Sequence, residues 1–321
     1  MSHNLEQRES QASMFYTGQV PWHQLGRKLD KPATAAEAME AANLDYTVVK
    51  KPLKAIIHNR HFADVPNAFA TVRTDTNVVL GVVGSRYEPV QNRDAFSFFD
   101  PLVGSERSEA IYHTAGVLGR GEKIWLLAKL PDYIRIKKDP IEKYVLLYNS
   151  HDGSSVVRCK LTPIRVVCNN TLTAALSGAE QEVRIRHTPS ATEKLQEAHK
   201  LLGLTNQLYT QLEYIFNRMS LRKVTNQQLV DYVKTLVPDN PEAENKTRTE
   251  NIRNQILYLH DDIPEARIHK GTLFGALNAI SEYTDHNSEQ KDPNKMLRSI
   301  WFGGSGEQLK QRAFKLAESM L

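Results

Sequence analysis

Residues 144–172, YVLLYNSHDGSSVVRCKLTPIRVVCNNTL, decide the fold class. Tyr144–Tyr148 is an apolar, aromatic run of strand length, and His151-Asp152-Gly153 is a turn signal. Val156–Val167 then resumes with β-branched residues, so the two runs are expected to fold back as an antiparallel hairpin. A short helix is expected from about Thr171 to Leu176, followed by a strand at Val183–His187. Strand alternation puts Arg158 and Lys160 on one face and Val157, Cys159 and Leu161 on the other. The same rule places Arg184 and Arg186 together. Paired cations on an open strand face can track a phosphate backbone, which makes nucleic acid the first partner to consider. The competing interpretation is an ordinary solvated strand face.

Outward from this stretch the pattern repeats. Tyr112–Leu118 and Glu122–Leu130 form a second hairpin around Gly119-Arg120-Gly121. Asp45–Ile57 reads as a strand, and Phe69–Arg73 with Val78–Gly84 as a further hairpin. Thr34 and Glu37 make a capping box for a helix to Ala42. A helix capped near Asn92 runs from Arg93 to about Leu102, with Ala95, Phe96, Phe98 and Phe99 on its buried face. From Ala191 the pattern becomes helical and stays so to Leu321. The fold class is therefore α+β: an antiparallel, hairpin-rich sheet with packed helices, then a helical C-terminal region. Three parts are expected: a flexible N-terminal arm over 1–20, an α+β core domain over 21–190 and a helical region over 191–321 packed on the core. In the helix Ala191–Ser220, Leu195, Ala198, Leu202, Thr205, Tyr209, Leu212, Phe216 and Met219 form a heptad seam. Leu201, Leu208 and Ile215 widen it, which favours packing on a core over a free coiled coil.

Composition narrows the function. Residues 110–190 carry 12 basic and 7 acidic side chains, whereas 1–109 carry 12 and 13 and 191–321 carry 17 and 17. The positive excess thus sits on the predicted strands, and the formal net charge of +4 excludes an acidic DNA mimic. No apolar run is long enough to span a bilayer, and the polar N-terminus lacks the order of a secretory signal, so a cytoplasmic location is expected. Cys159 and Cys168 make neither a disulfide framework nor a zinc quartet, and both are expected as buried hydrophobes.

Lys123, Trp125 and Lys129 alternate on one face of Glu122–Leu130, where an indole between two ammonium groups can stack a base. The alternative is that Trp125 covers the core edge. Asn169-Asn170-Thr171 offers a helix cap, and with Arg165 four residues before Asn169, Asn170 is also a candidate for a backbone phosphate. Arg120 sits at a hairpin tip. Gly303-Gly304-Ser305-Gly306 has the form of an anion nest without the lysine of a phosphate loop. Catalytic signals are thin: His58 and His61 lack further ligands at metal spacing, His260-Asp261-Asp262 is satisfied by a solvated helix end, and no nucleophile elbow, zinc-protease or dinucleotide motif is present.

Several blocks together resemble one family. Trp22-His23-Gln24-Leu25-Gly26, Tyr87-Glu88-Pro89-Val90-Gln91-Asn92, Asp152-Gly153, Arg165–Leu172, Arg184-Ile185-Arg186-His187-Thr188 and Asn278-Ala279 through Asp285-His286 look like the phage/plasmid-like proteins of domain-of-unknown-function family 932. The resemblance covers nearly the full length and implies a product of a phage, plasmid or other mobile element in a bacterial cytoplasm. It implies no activity. A second resemblance is topological: the order hairpin, helix, hairpins, helix over residues 69–176 is similar to the core of single-strand annealing recombinases, which oligomerise and lay single-stranded DNA along a basic groove. It rests on no shared motif.

A DNA-binding protein of a mobile element is therefore expected, acting in single-strand binding or annealing during recombination. Its partners would be single-stranded DNA, with duplex possible, and further copies of itself. It needs no cofactor and no metal, since annealing requires only that two backbones be neutralised. Arg158, Lys160, Arg165, Asn170, Arg184 and Arg186 form the expected contact surface, with Lys123, Trp125 and Lys129 as a second one. The alternative is a protein–protein module countering host defence through the 191–321 helices, and a third is a metal-dependent nuclease.

Overall fold

The structure, a computed structural model, describes residues 5–8, 11–18, 25–58, 61–103, 110–165, 170–171, 182–191, 193–194, 205–239, 247–261, 268–287, 299 and 304–321. The fold is α+β, with largely antiparallel sheets and with helices concentrated in the C-terminal half. The chain forms two compact units. The first comprises Met1–Pro131, Tyr144–Leu161 and Glu182–Leu204, and the second Asp132–Lys143, Thr162–Gln181 and Thr205–Leu321.

The first unit opens with β1 (Gln7–Arg8), β2 (Gln11–Ala12), β3 (Met14–Thr17) and β4 (Arg27–Leu29). Residues 5–8 and 11–17 were expected in a flexible arm but join the fold instead. β3 pairs with β4 in parallel, and Phe15 is fully buried. The physical reason is the apolar run Met14-Phe15-Tyr16, which outweighs the polar residues around it. Helix α1 (Ala35–Ala41) carries the expected capping box: Thr34 Oγ1 accepts from the Glu37 amide, and the Thr34 amide donates to the Glu37 carboxylate at 2.8 Å.

Strands β5 (Val48–His58), β6 (His61–Arg73) and β7 (Val79–Gly84) make a small antiparallel sheet in that order. After α2 (Asn92–Val103) come β8 (Ile111–Leu118), β9 (Lys123–Ile136), β10 (Asp139–Ser150) and β11 (Val157–Leu161). The expected strand Val156–Val167 is interrupted at Thr162–Pro163, because proline has no amide to give to the ladder. Its continuation is β12 (Ile164–Arg165), which belongs to the second unit with β13 (Asn170–Thr171), while β14 (Glu182–Ile185) returns to the first. Within the first unit the larger sheet runs β4-β3-β8-β9-β10-β11-β14. Every residue from Ile124 to Ala128 is buried, as is every residue from Tyr144 to His151, so these segments of β9 and β10 are covered on both faces.

In the second unit β12 pairs with β10 (Ile141↔Arg165) and with β13 (Arg165↔Asn170). Asn170 and Thr171 are thus strand residues rather than the cap and start of a helix, and residues 172–176 of that expected helix lie outside the described residues. Helices α3 (Thr205–Leu221), α4 (Asn226–Leu236), α5 (Thr247–Asp261), α6 (Leu273–Glu282) and α7 (Ser305–Ser319) follow, with a π-helical turn at Tyr283–Asn287. The first half of the expected helix Ala191–Ser220 falls largely outside the described residues. In the second half, Tyr209, Leu212, Phe216 and Met219 are all buried, so this seam is core. Phe216 meets Phe274 and Phe314 at ring separations of 5.3 and 6.0 Å. α6 is buried from Leu273 through Ser281 and forms the centre of the bundle. His260, expected at a solvated helix end, is buried and lies 2.8 Å from the Asp261 carboxylate. Lys310 and Asp285 form a buried ion pair at 2.7 Å. Among the described residues no helix is long and apolar enough to cross a membrane.

Candidate nucleic-acid interface

The basic residues of β11 and β14 meet as alternation demands. The two strands are antiparallel, with Arg158 directly opposite Arg184 and Lys160 opposite Glu182. Directly opposed residues share a face, so Arg158, Lys160, Glu182 and Arg184 lie on one side of the sheet. Glu182 organises the group: its carboxylate is 3.5 Å from Arg158 Nε and 2.8 Å from Arg184 Nη2. Among the described residues β14 is the last strand on this side of the sheet, and the Arg184 side chain is 63% exposed. Arg186 continues past the strand end and is also exposed. Arg184 and Arg186 thus lie exposed on the edge strand, with Arg158 and Lys160 half-buried on the inner strand β11 beside them; charges on an edge strand also resist pairing with other chains.

Of the other expected contacts, Trp125 is core and Lys123 and Lys129 are half-buried. Trp125 is 3% exposed. It stands opposite Gly116 on β8, where a Cβ would collide with the indole ring, so the glycine provides the room that the tryptophan fills. The indole is core and offers no stacking platform, which corrects that part of the expectation. Lys123 Nζ is 3.9 Å from the Asp152 carboxylate, and Lys129 is half-buried opposite Ile111. Arg165 and Asn170 face each other across β12 and β13 in the second unit. The nine residues thus do not form one surface. Arg120 is paired with Glu122 at 3.1 Å.

A buried polar centre in the first unit went unrecognised as a unit, although its pieces stand in the family-like blocks. Gln91 brackets one residue of β5, accepting from the Val48 amide and donating to the Val48 carbonyl, both at 2.9 Å. In effect its amide replaces a strand neighbour. Asn92 donates to the Leu44 carbonyl at 3.0 Å, and its Oδ1 is 2.9 Å from His151 Nε2. Because Oδ1 only accepts, Nε2 carries the imidazole proton, and Nδ1 is left buried with no protein partner among the described residues. Asn149 donates to the Val90 carbonyl and Tyr87 to the Ser150 carbonyl, each at 2.9 Å. The Tyr87 ring stacks on His187 with centroids 4.6 Å apart.

Burial, with repulsion from His187, pushes His151 down to about 3, and burial pushes His187 down to about 4. Both rings are therefore neutral near neutral pH. Asp152 goes the other way: burial works to raise its pKa, but hydrogen bonds from Ser150 and Ser154 and the charge of Lys123 hold it below the usual carboxylate range. The Asp152 backbone also lies against Gly81, where a Cβ would strike it. This centre ties β5, the start of α2, the β10–β11 turn and the end of β14 to one another. Both imidazoles are buried, and the hydrogen bonds of the centre run between its own residues and to backbone groups. Burial also raises the pKa of the Cys159 thiol, which keeps it protonated near neutral pH. Among the described residues no three His, Cys, Asp or Glu side chains gather as metal ligands. Trp22 and Cys168 lie outside the described residues.

No curated protein and no solved structure matches the chain. A family model does match, over residues 79–301, a span that contains Tyr87, Asn92, His151 and His187 as well as both strands of the basic edge. The chain belongs to the family described as Domain of unknown function (DUF932).

Proposed function

We propose that the β11–β14 edge binds the phosphate backbone of single-stranded DNA, and that the protein serves a mobile genetic element by holding or annealing complementary strands. One observation carries this reading: the register that sets Arg158 against Arg184 on one face, with Arg184 and Arg186 exposed on the edge strand and Arg158 and Lys160 half-buried beside them. Cations in a row at extended-chain spacing suit a polyanion better than a compact ligand, and contacts to phosphate leave base edges free to pair. The likeness to annealing recombinases adds no support, since it relied on a helix beginning at Thr171, which is a strand residue. Docking through the C-terminal helices is not favoured either, because the described part of their seam is buried.

Fluorescence anisotropy of a labelled single strand and its duplex across a salt series tests the proposal. Three or four phosphate contacts predict a slope of log K against log salt of about −2 to −3 on a single strand, with weaker binding to the duplex. No binding at low salt would reduce the edge to a solvated strand face.

A further inference from the structure

The hairpin β5–β6 outgrows its sheet. Near its base it is three strands deep: Pro52 pairs with Phe69, Phe69 with Val83, and Ala68 with Gly84, the last residue of β7. Between Pro52 and Lys54 the register jumps from Phe69 to Asp64, so Leu53 alone stands against residues 65–68, and Asn67 there takes a left-handed φ of 55°. Beyond this bulge only two strands continue among the described residues, with Lys54 opposite Asp64, Ala55 opposite Ala63 and Ile56 opposite Phe62. Every described residue from His61 to Asn67 is exposed, as are Lys54 and residues 56–58. A two-stranded ribbon with both faces in water is marginally stable by itself. This one also exposes large apolar side chains, with Ile56 73% and Phe62 61% accessible.

The chemistry of one face identifies what covers it. Opposed residues share a face and alternate residues return to it, so Lys54, Ile56, Phe62 and Asp64 lie together. Lys54 Nζ is 3.7 Å from the Asp64 carboxylate within the ribbon. That face therefore carries an opposite-charge pair at one level and an aliphatic–aromatic pair at the next. A two-fold axis along the ribbon turns β5 of one copy over β6 of another while keeping the levels aligned. Lys54 then meets Asp64 of the second copy and Ile56 meets Phe62, each pair formed twice. We infer that the distal ribbon, Lys54–His58 with His61–Asp64, is a self-association surface through which two copies of this chain stack face to face. With Lys54 neutralised by Asp64 the face has no charge to offer a polyanion, so a second copy suits it better than nucleic acid. The inference does not depend on DNA binding at the β11–β14 edge.

Sedimentation equilibrium of the full chain tests it, without DNA and at micromolar concentrations. Wild type should be dimeric or larger, and Ile56→Ser with Phe62→Ser should be monomeric with unchanged circular dichroism. Charge variants separate pairing from damage. Asp64→Lys and Lys54→Asp should each weaken self-association at least tenfold, an equimolar mixture should recover it, and raised salt should mute both effects. A monomeric wild type, or self-association that survives the apolar double substitution, would overturn the inference. So would a mixture of the charge variants that stays monomeric. A salt-sensitive loss of DNA binding in the apolar variant, with the oligomer unchanged, would assign the ribbon to nucleic acid instead.

Discussion

The buried polar centre and the basic edge strand lie in the same unit and differ in what their residues can reach. Tyr87, His151, Asp152 and His187 are the residue types of acid–base chemistry, yet Tyr87 donates to a backbone carbonyl, His151 is held by Asn92, and Asp152 accepts from Ser150 and Ser154. Arg158, Lys160, Arg184 and Arg186 read as a candidate phosphate track, and their register aligns them on one face, with Arg184 and Arg186 exposed at the sheet edge and Arg158 and Lys160 half-buried. Exposure and register, more than side-chain chemistry, separate the two. The centre fixes the position of the edge, since His187 follows Arg186 directly and stacks on Tyr87.

If that division holds, damage to the interior should cost stability and spare binding, while damage to the edge should do the reverse. The largest loss is expected for Trp125→Ala. Removing a buried indole costs about 4 kcal/mol, read from urea denaturation, while the folded fraction should bind a single strand with wild-type affinity. Equal loss of affinity per folded molecule would restore Trp125 as a contact. Asn92→Leu should follow at about 3 kcal/mol, because it strands the Leu44 carbonyl and the His151 ring together.

Acid should act through the same centre. His151 and His187 have folded pKa values of about 3 and about 4, below the ordinary histidine value of 6.5. The unfolded chain therefore takes up protons first as pH falls. Stability is complete above about pH 6.5 and declines below it, until the folded values are reached. At pH 5 the loss is about 2 kcal/mol for each of the two histidines. Asn92→Leu disrupts the His151 site and should flatten this decline; an unchanged pH profile in that variant would show that the histidines do not set it.

Much of the fold was legible because local signals agreed with the tertiary outcome. The Thr34–Glu37 box, the glycines around Arg120 and the His151-Asp152-Gly153 turn each marked an element boundary that the structure keeps. Failures came where distant partners decided. Met14–Thr17 reads as part of a polar arm until β8 pairs with it, and Asn170–Thr171 reads as a helix start until Ile164–Arg165 pairs with it. Alternation located the Arg158 and Lys160 face, but it cannot show whether both faces of a strand are covered, which is why Trp125 looked available. The polar centre assembles residues from 87–92, 149–152 and 187, and no spacing within one segment could announce it.

The smallest stability effect belongs to the edge. Arg184→Ala with Arg186→Ala should change folding free energy by less than about 0.5 kcal/mol, because both side chains are exposed. Its binding signature is what tests the account most directly: the salt dependence of single-strand affinity in this variant, measured beside wild type by fluorescence anisotropy. The account predicts a slope shallower by about 1 to 2, near 0.7 for each lost phosphate contact, with uniform weakening across sequences. Unchanged affinity and slope would contradict it and remove the edge as the binding surface.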